Sequence, residues 1–151
     1  RTYSPVLHVY RLPQLIEVAQ LTNQTNIEGF SFSPTREELG VVSRGHLQFW
    51  STTHWERMRA ATNFIGIPDI GMLFEPDGRA LWLAQDYRTA GLHDRRTLEP
   101  AFFLPTGMFP LALSPDGRQL AVSVDAQRLL VWDLEAVRQH FRDLGLDWSE
   151  P

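Results

Sequence analysis

The 151-residue sequence contains no cysteine. Disulfides and thiolate-based zinc sites are therefore excluded, while the redox compartment stays open. Lysine is absent too, so all 14 basic residues other than histidine are arginine. No apolar run is long enough to span a bilayer. The most apolar region, Ala101 to Leu113, is broken by Pro105 and Pro110. There is no signal-peptide pattern, and the first residue is Arg1 rather than Met. With no export signal, the expected compartment is the cytoplasm, and the sequence reads as a piece of a longer protein. The balance of 14 basic against 18 acidic residues, net −4, argues against a nucleic-acid module and gives no reason to expect a membrane surface.

Catalytic signatures are missing as well. There is no Gly-x-Ser-x-Gly elbow, no Gly-x-x-x-x-Gly-Lys loop and no His-Glu-x-x-His helix. His8, His46, His54, His93 and His140 show no metal-ligand spacing. His93 and Asp94 are adjacent, but neighbours on a strand point to opposite faces and cannot act as a dyad. The Asp77-Gly78 and Asp116-Gly117 turns each offer one carboxylate, where calcium wants several oxygens. The expectation is a chain that is not itself an enzyme, with no catalytic residue, no metal and no cofactor.

What is present is a repeat. Leu113 to Asp133 reads LSPDGRQLAVSVDAQRLLVWD. Ser114-Pro115-Asp116-Gly117 is a turn: Pro presets φ, Asp bonds back to the chain and Gly accepts positive φ. Leu120–Val124 and Leu129–Trp132 then read as strands around the polar break Asp125-Ala126-Gln127. Phe74 to Asp94, FEPDGRALWLAQDYRTAGLHD, is the same pattern 39 residues earlier, without a gap. Phe32 to Ser51, FSPTREELGVVSRGHLQFWS, is a looser copy, and Tyr10 sits 40 residues before Trp50. A period near 40 with four short strands per unit is the pattern of a β-propeller blade.

The expected fold is all-β: a partial β-propeller of about three four-stranded antiparallel blades with a short C-terminal helix. Residues 1–21 are the end of an incomplete blade, with strands at Val6–Tyr10 and Leu15–Leu21, a short helix being the competing reading of the latter. Residues 27–61 form a blade with strands near Gly29–Ser33, Leu39–Ser43, Leu47–Trp50 and Trp55–Ala60. Trp55, Arg57 and Arg59 are expected on one face of the last. Residues 63–104 form another, with strands near Gly71–Phe74, Ala80–Gln85, Thr89–His93 and Leu98–Leu104. Residues 108–133 form a three-stranded blade. From 134 to 144 the apolar stripe Leu134, Val137, Phe141, Leu144 predicts a helix, capped by Asp133 and ended by Gly145 with Leu146 folding back. Trp148 and Pro151 complete a tail running to residue 151. Trp50, Trp82 and Trp132 are read as packing residues.

At Ser114-Pro115-Asp116-Gly117, Leu120-Ala121 and Val131-Trp132-Asp133 the chain resembles the WD40 family. His93 replaces Trp in the second copy and Ser51 replaces Asp in the first. The family's hydrogen-bonded Trp, Asp, Ser/Thr and His set is not reproduced, because its Asp position falls at Ala126 and its Ser/Thr position at Val124. The tail VWDLEAVRQHFRDLGLDW resembles the ends of WD40 regions in large bacterial multidomain proteins. The resemblance implies a non-catalytic scaffold that binds a protein or peptide. An alternative it implies is a regulatory propeller of a multidomain enzyme, such as a bacterial serine/threonine protein kinase, with its catalytic domain elsewhere. Three arrangements stay open: a fragment of a closed propeller, a capped open arc, or half of a propeller completed by a second copy. The last makes self-association through open edges a further partner reading.

Propellers of this kind present the loops between strands four and one, and between strands two and three, on one face. Those loops contain Asn26, Glu28, Pro68, Asp69, Phe109 and Pro110, and then Arg44, Asp86, Tyr87, Arg88 and Ala126. The candidate partner-binding residues are Arg44, Asp69, Asp86, Tyr87, Arg88 and Phe109. Tyr87 between Asp86 and Arg88 is the strongest, since Tyr and Arg are enriched at binding hot spots.

Overall fold

The computed structural model describes residues 5–23, 25–64, 72–125 and 127–145. The chain divides into two compact units, Arg1–Gly71 and Met72–Pro151. Thirteen strands in antiparallel sheets and one C-terminal helix make up the regular structure among these residues, so the all-β expectation holds.

In the first unit, β1 (Val6–Arg11) and β2 (Ile16–Thr22) form a two-stranded sheet. The segment read as strand or helix is thus a strand. The strands β3 (Ile27–Phe32), β4 (Glu38–Ser43), β5 (His46–Ser51) and β6 (Arg57–Thr62) form a four-stranded sheet in sequence order. Leu21, Leu39 and Val41 are buried together, with Leu7, Val9, Ala19, Ile27, Trp50 and Trp55 packed around them. This cluster joins the two sheets of the unit through their apolar faces, which is the main stabilising burial here.

In the second unit, β7 (Leu73–Phe74), β8 (Ala80–Ala84), β9 (Ala90–Asp94) and β10 (Pro100–Phe103) form another four-stranded sheet in sequence order. Every residue of β8, Ala-Leu-Trp-Leu-Ala, is buried. Its continuous apolar run is what a strand covered on both faces requires. A three-stranded sheet follows, from β11 (Met108–Leu113), β12 (Gln119–Val124) and β13 (Arg128–Asp133), and α1 (Leu134–Asp143) ends the regular structure. Phe141 of α1 meets Phe102 of β10 edge-on, with ring centroids 5.5 Å apart.

The repeat legible in the sequence is also a repeat of hydrogen-bonding detail. The turn before each second strand closes the same way. Arg36 N–H donates to Ser33 O at 2.8 Å, Gly78 N–H to Glu75 O at 2.9 Å, and Gly117 N–H to Ser114 O at 2.9 Å. All three donors have positive φ, of 61°, 71° and 71°. Glycine adopts that region without strain, so Arg36 is the residue out of place.

The connection into β2, β6 and β10, the last strands of their sheets, repeats just as closely. Leu15, Trp55 and Leu98 hold φ of 55°, 56° and 61° immediately before it. Each pair then carries a one-residue irregularity: Tyr10 faces Glu17, Trp50 faces Arg57 and His93 faces Pro100, leaving Val18, Met58 and Ala101 as the extra residues. Two expectations are corrected by this geometry. Trp55 lies outside the strand, which starts at Arg57, because its left-handed backbone belongs to the turn. The bulge at Met58 also breaks the simple alternation that would set Arg57 and Arg59 on one face. Arg59 instead lies over the Phe49 ring, 3.8 Å from its centroid.

The third copy turns into a helix at this point. Asp133 Oδ1 accepts from Ala136 N–H at 3.0 Å, as an N-cap does. Ser51 and Asp94 at the matching positions accept from the backbone of their own turns. Val137 stands where Leu98 stands, and a β-branched residue resists positive φ. Ala136 and Gln139 are also better helix residues than Thr97 and Pro100 at the matching positions. Leu134 is buried and Val137 and Phe141 half-buried, while Leu144 is exposed, so only part of the expected stripe is covered. Gly145, at φ 69°, donates to Arg142 O at 2.9 Å and closes the helix. The start of the strand expected at Gly71, the Leu146 clasp and Trp148 lie outside the described residues.

Of the three tryptophans read as packing residues, Trp82 is fully buried and Trp50 and Trp132 are half-buried. Trp82 also has a polar task. Its indole Nε1–H donates to the buried carboxylate of Glu75 at 2.7 Å. Burial pushes the Glu75 carboxyl above its usual range, opposed by this bond and by the charge of Arg138.

Candidate functional site

The loop between β8 and β9 carries three of the six candidate residues, and its shape follows from one carboxylate. Asp86 Oδ1 accepts from the backbone N–H groups of Arg88 and Thr89, both at 2.7 Å. Gln85 N–H donates to Thr89 O at 2.9 Å below them. These bonds, that from Arg88 first, hold the Asp86 carboxyl below the usual carboxylate range. An aspartate that bonds its own loop in this way fixes the turn locally. Tyr87 is left at the apex, 61% exposed, with Arg88 exposed beside it.

The base of the loop is held by the buried His93. Its Nδ1–H donates to Gly91 O at 3.1 Å, so Nε2 is the acceptor for the Gln85 side-chain amide at 3.3 Å. Desolvation lowers the pKa of His93, with the Gly91 bond opposing, and the ring is neutral at physiological pH. Asp94 turns the other way and binds the backbone of Arg96 and Thr97. The two neighbours therefore do not form a dyad, as strand alternation requires.

Gly107 connects this loop to the next two elements. Its N–H donates to Arg88 O at 3.0 Å, and its carbonyl accepts from Asp125 N–H at 3.3 Å. Gly107 has φ 82°, and a Cβ there would meet Asp125 Oδ1 at 3.2 Å. The position needs glycine for conformation and for space. Asp125 in turn faces Arg128, with Oδ2 to Nη2 at 3.4 Å. One end of the second unit therefore gathers Asp86, Tyr87, Arg88, Gly107, Asp125 and Arg128 from three connections.

The other candidates are distributed differently. Phe109 lies inside β11, opposite Ser123, and is half-buried. It was expected in a loop, but the connection ends at Gly107 and the chain is already paired at Met108. Glu28 likewise stands in β3. Arg44 is exposed in the two-residue connection between β4 and β5 of the first unit, where its carbonyl accepts from Thr25 Oγ1 at 3.3 Å. Asp69, Pro68 and Ala126 lie outside the described residues. Gly107, Asp125 and Arg128 were not singled out from sequence. Their only signal was the polar break Asp125-Ala126-Gln127 itself.

Chemically the rim offers an aromatic ring, two guanidinium groups and two carboxylates, one of which is committed to its own loop. Among the described residues no group of three or more His, Cys, Asp or Glu is placed to hold a metal ion. Nor is any helix among them long and apolar enough to cross a membrane. Compared with known proteins, the sequence matches no family model and no curated protein.

Proposed function

We propose that this chain is a non-catalytic interaction module, part of a β-propeller of the WD40 kind, that binds a protein or peptide through the rim around Tyr87. The observation that carries the reading is the construction of that rim. Asp86 spends its carboxylate on shaping the loop, and Gly107 ties the loop to the Asp125 turn. Tyr87 and Arg88 are thereby presented without being buried. A loop held in one geometry loses little conformational entropy on binding, which favours recognition.

The propeller arrangement is supported by the repeat in turn, bulge and register across the sheets. It is supported also by β13. In β5 the matching residues Leu47 and Phe49 are fully buried, and in β9 Ala90 and Leu92 are 0% and 1% exposed. In β13 the counterparts Leu129 and Val131 are 61% and 60% exposed. Beside β5 and β9 a fourth strand is paired; among the described residues β13 pairs only with β12. This favours completion of the last sheet by a further strand, from additional chain or from another copy. An exposed apolar edge otherwise invites aggregation.

The test is comparative capture. Wild-type protein and the Tyr87→Ala and Arg88→Ala variants are used to retrieve partners, and affinities are measured for whatever the wild type retains. A hot-spot residue costs about 2 kcal/mol on truncation, roughly 30-fold in Kd. Equal affinity of the variants, at unchanged melting temperature, would remove this rim from the binding surface.

A further inference from the structure

Among the described residues the four sheets end in eight edge strands, and all but one are blunted. β2, β3, β6, β10 and β11 each carry a one-residue bulge, at Val18, Glu28, Met58, Ala101 and Leu111. β1 pairs across the bulge of β2, and β7 is two residues long. Bulges and short edges discourage pairing with another chain. β13 is the exception. It is six residues long, its register against β12 runs from Arg128 to Asp133 without a shift, and its only charges stand at its two ends.

The ladder defines the free side of β13. Leu134 N–H donates to Arg118 O at 2.8 Å, one rung beyond the Gln119–Asp133 pair. Hydrogen-bonded pairs alternate along an antiparallel ladder. Arg128, Leu130 and Trp132 therefore turn their backbone groups to β12, and Leu129, Val131 and Asp133 turn theirs outward. At the positions matching Asp133, the N–H groups of Ser51 and Asp94 reach Glu56 O and Glu99 O at 2.9 and 3.0 Å, on the way into the fourth strand. The Leu130 side chain reports the same vacancy. It is 40% exposed, where the matching Gln48 is 2% exposed and Gly91 is buried beside β10.

We propose that β13 pairs with β13 of a second copy of this chain, antiparallel about a two-fold axis through Leu130. This names the strand that completes the last sheet, so it rests on that reading of β13 and not on the Tyr87 rim. The pairing is self-complementary. Leu130 meets Leu130 of the second copy as a non-hydrogen-bonded pair. Leu129 meets Val131, and Val131 meets Leu129, as hydrogen-bonded pairs on either side. Arg128 then lies opposite the half-buried Trp132, a cation beside an indole ring, and no like charges face each other. Centring the axis on Val131 would instead set Leu134, where α1 begins, against Arg128. Each copy offers one such edge, so the pair closes as a dimer and does not propagate.

The experiment combines light scattering across a concentration series with cross-linking in a chain that has no cysteine of its own. The full chain should reach twice the mass of one chain as concentration rises. Leu130→Lys should weaken the dimer about tenfold, because like charges then oppose each other on the axis. Mixing Leu130→Lys with Leu130→Glu should restore it. Under mild oxidation Leu130→Cys should cross-link to itself, since the Cα atoms of such a pair lie about 4.5 Å apart, within disulfide reach. Leu129→Cys should not, because its counterpart is displaced by two residues along the strand. Tyr87→Ala should dimerise as the wild type does, so loss of the dimer and loss of rim binding read separately. A monomer at every concentration would overturn the proposal and leave the edge to additional chain. So would a dimer that Leu130→Lys leaves unchanged, or equal cross-linking of the two cysteine variants.

Discussion

Gly91 lies in β9, and an added Cβ there would sit 2.2 Å from the carbonyl oxygen of Phe102 and 3.0 Å from Cδ1 of Phe103. Both belong to β10, the neighbouring strand. A carbon and a carbonyl oxygen rest about 3.3 Å apart, so Gly91→Ala must push β10 away by roughly 1 Å. A hydrogen bond of ordinary length does not survive such a displacement. At about 1 kcal/mol for each backbone bond lost, and 1–3 kcal/mol for overpacking, the cost is about 3 kcal/mol. The edge contacts of Phe102 with Trp82 and Phe141, at 6.4 and 5.5 Å between centroids, would be disturbed as well. Urea unfolding followed by tryptophan fluorescence measures the loss, with an unchanged m-value as the sign that only stability moved. Gly45→Ala is the control: nothing lies within 4 Å of its Cβ, but φ is 80°, so about 1 kcal/mol is expected from conformation alone. A loss below 1 kcal/mol for Gly91→Ala would refute the close approach of β9 and β10.

Arg36→Gly should raise stability by about 0.5–1 kcal/mol by relieving a left-handed arginine, read as a higher melting temperature; a lower one would contradict the turn geometry. Glu75→Gln keeps an acceptor for Trp82 while removing a buried charge. Glu75 has a raised folded pKa, so the wild type loses stability as pH rises from the ordinary glutamate value through that pKa, and the variant should not. A variant with the same pH profile in that window would sink the assignment. His93 has a lowered folded pKa, so the unfolded chain takes up its proton first, and stability should fall as pH drops below about 6.5. His93→Gln should flatten that limb; an unaltered limb would place the titrating group elsewhere.

Much of the fold was legible because its signals are local. Pro-Asp-Gly at 76–78 and 115–117 dictates a turn, and the apolar run of β8 announces a covered strand. The Asp133 cap and Leu134 stripe give the helix its start. What was misread depends on conformations with no residue signature. Trp55 and Leu98 take positive φ although neither is Gly or Asn, so the start of the fourth strand could not be placed from sequence. The bulge residues Met58 and Ala101 shift the register by one, which strand periodicity cannot register. Phe109 was put in a loop, in the apolar region that Pro105 and Pro110 interrupt, yet Pro110 is accommodated inside β11 at its own irregularity. The Asp86 turn was readable from Asp-Tyr-Arg-Thr. The bond from Gly107 to Arg88 joins residues 19 apart in the chain and becomes visible only once β10 has returned alongside β9.

The central claim is that the Tyr87 rim is the binding surface, and amide hydrogen exchange with and without the captured partner tests it most directly. The account predicts added protection over residues 85–89, at Gly107 and across the Asp125–Arg128 turn, with none at Arg95–Thr97. Protection confined to other surfaces, with these amides exchanging as in the free protein, would contradict it.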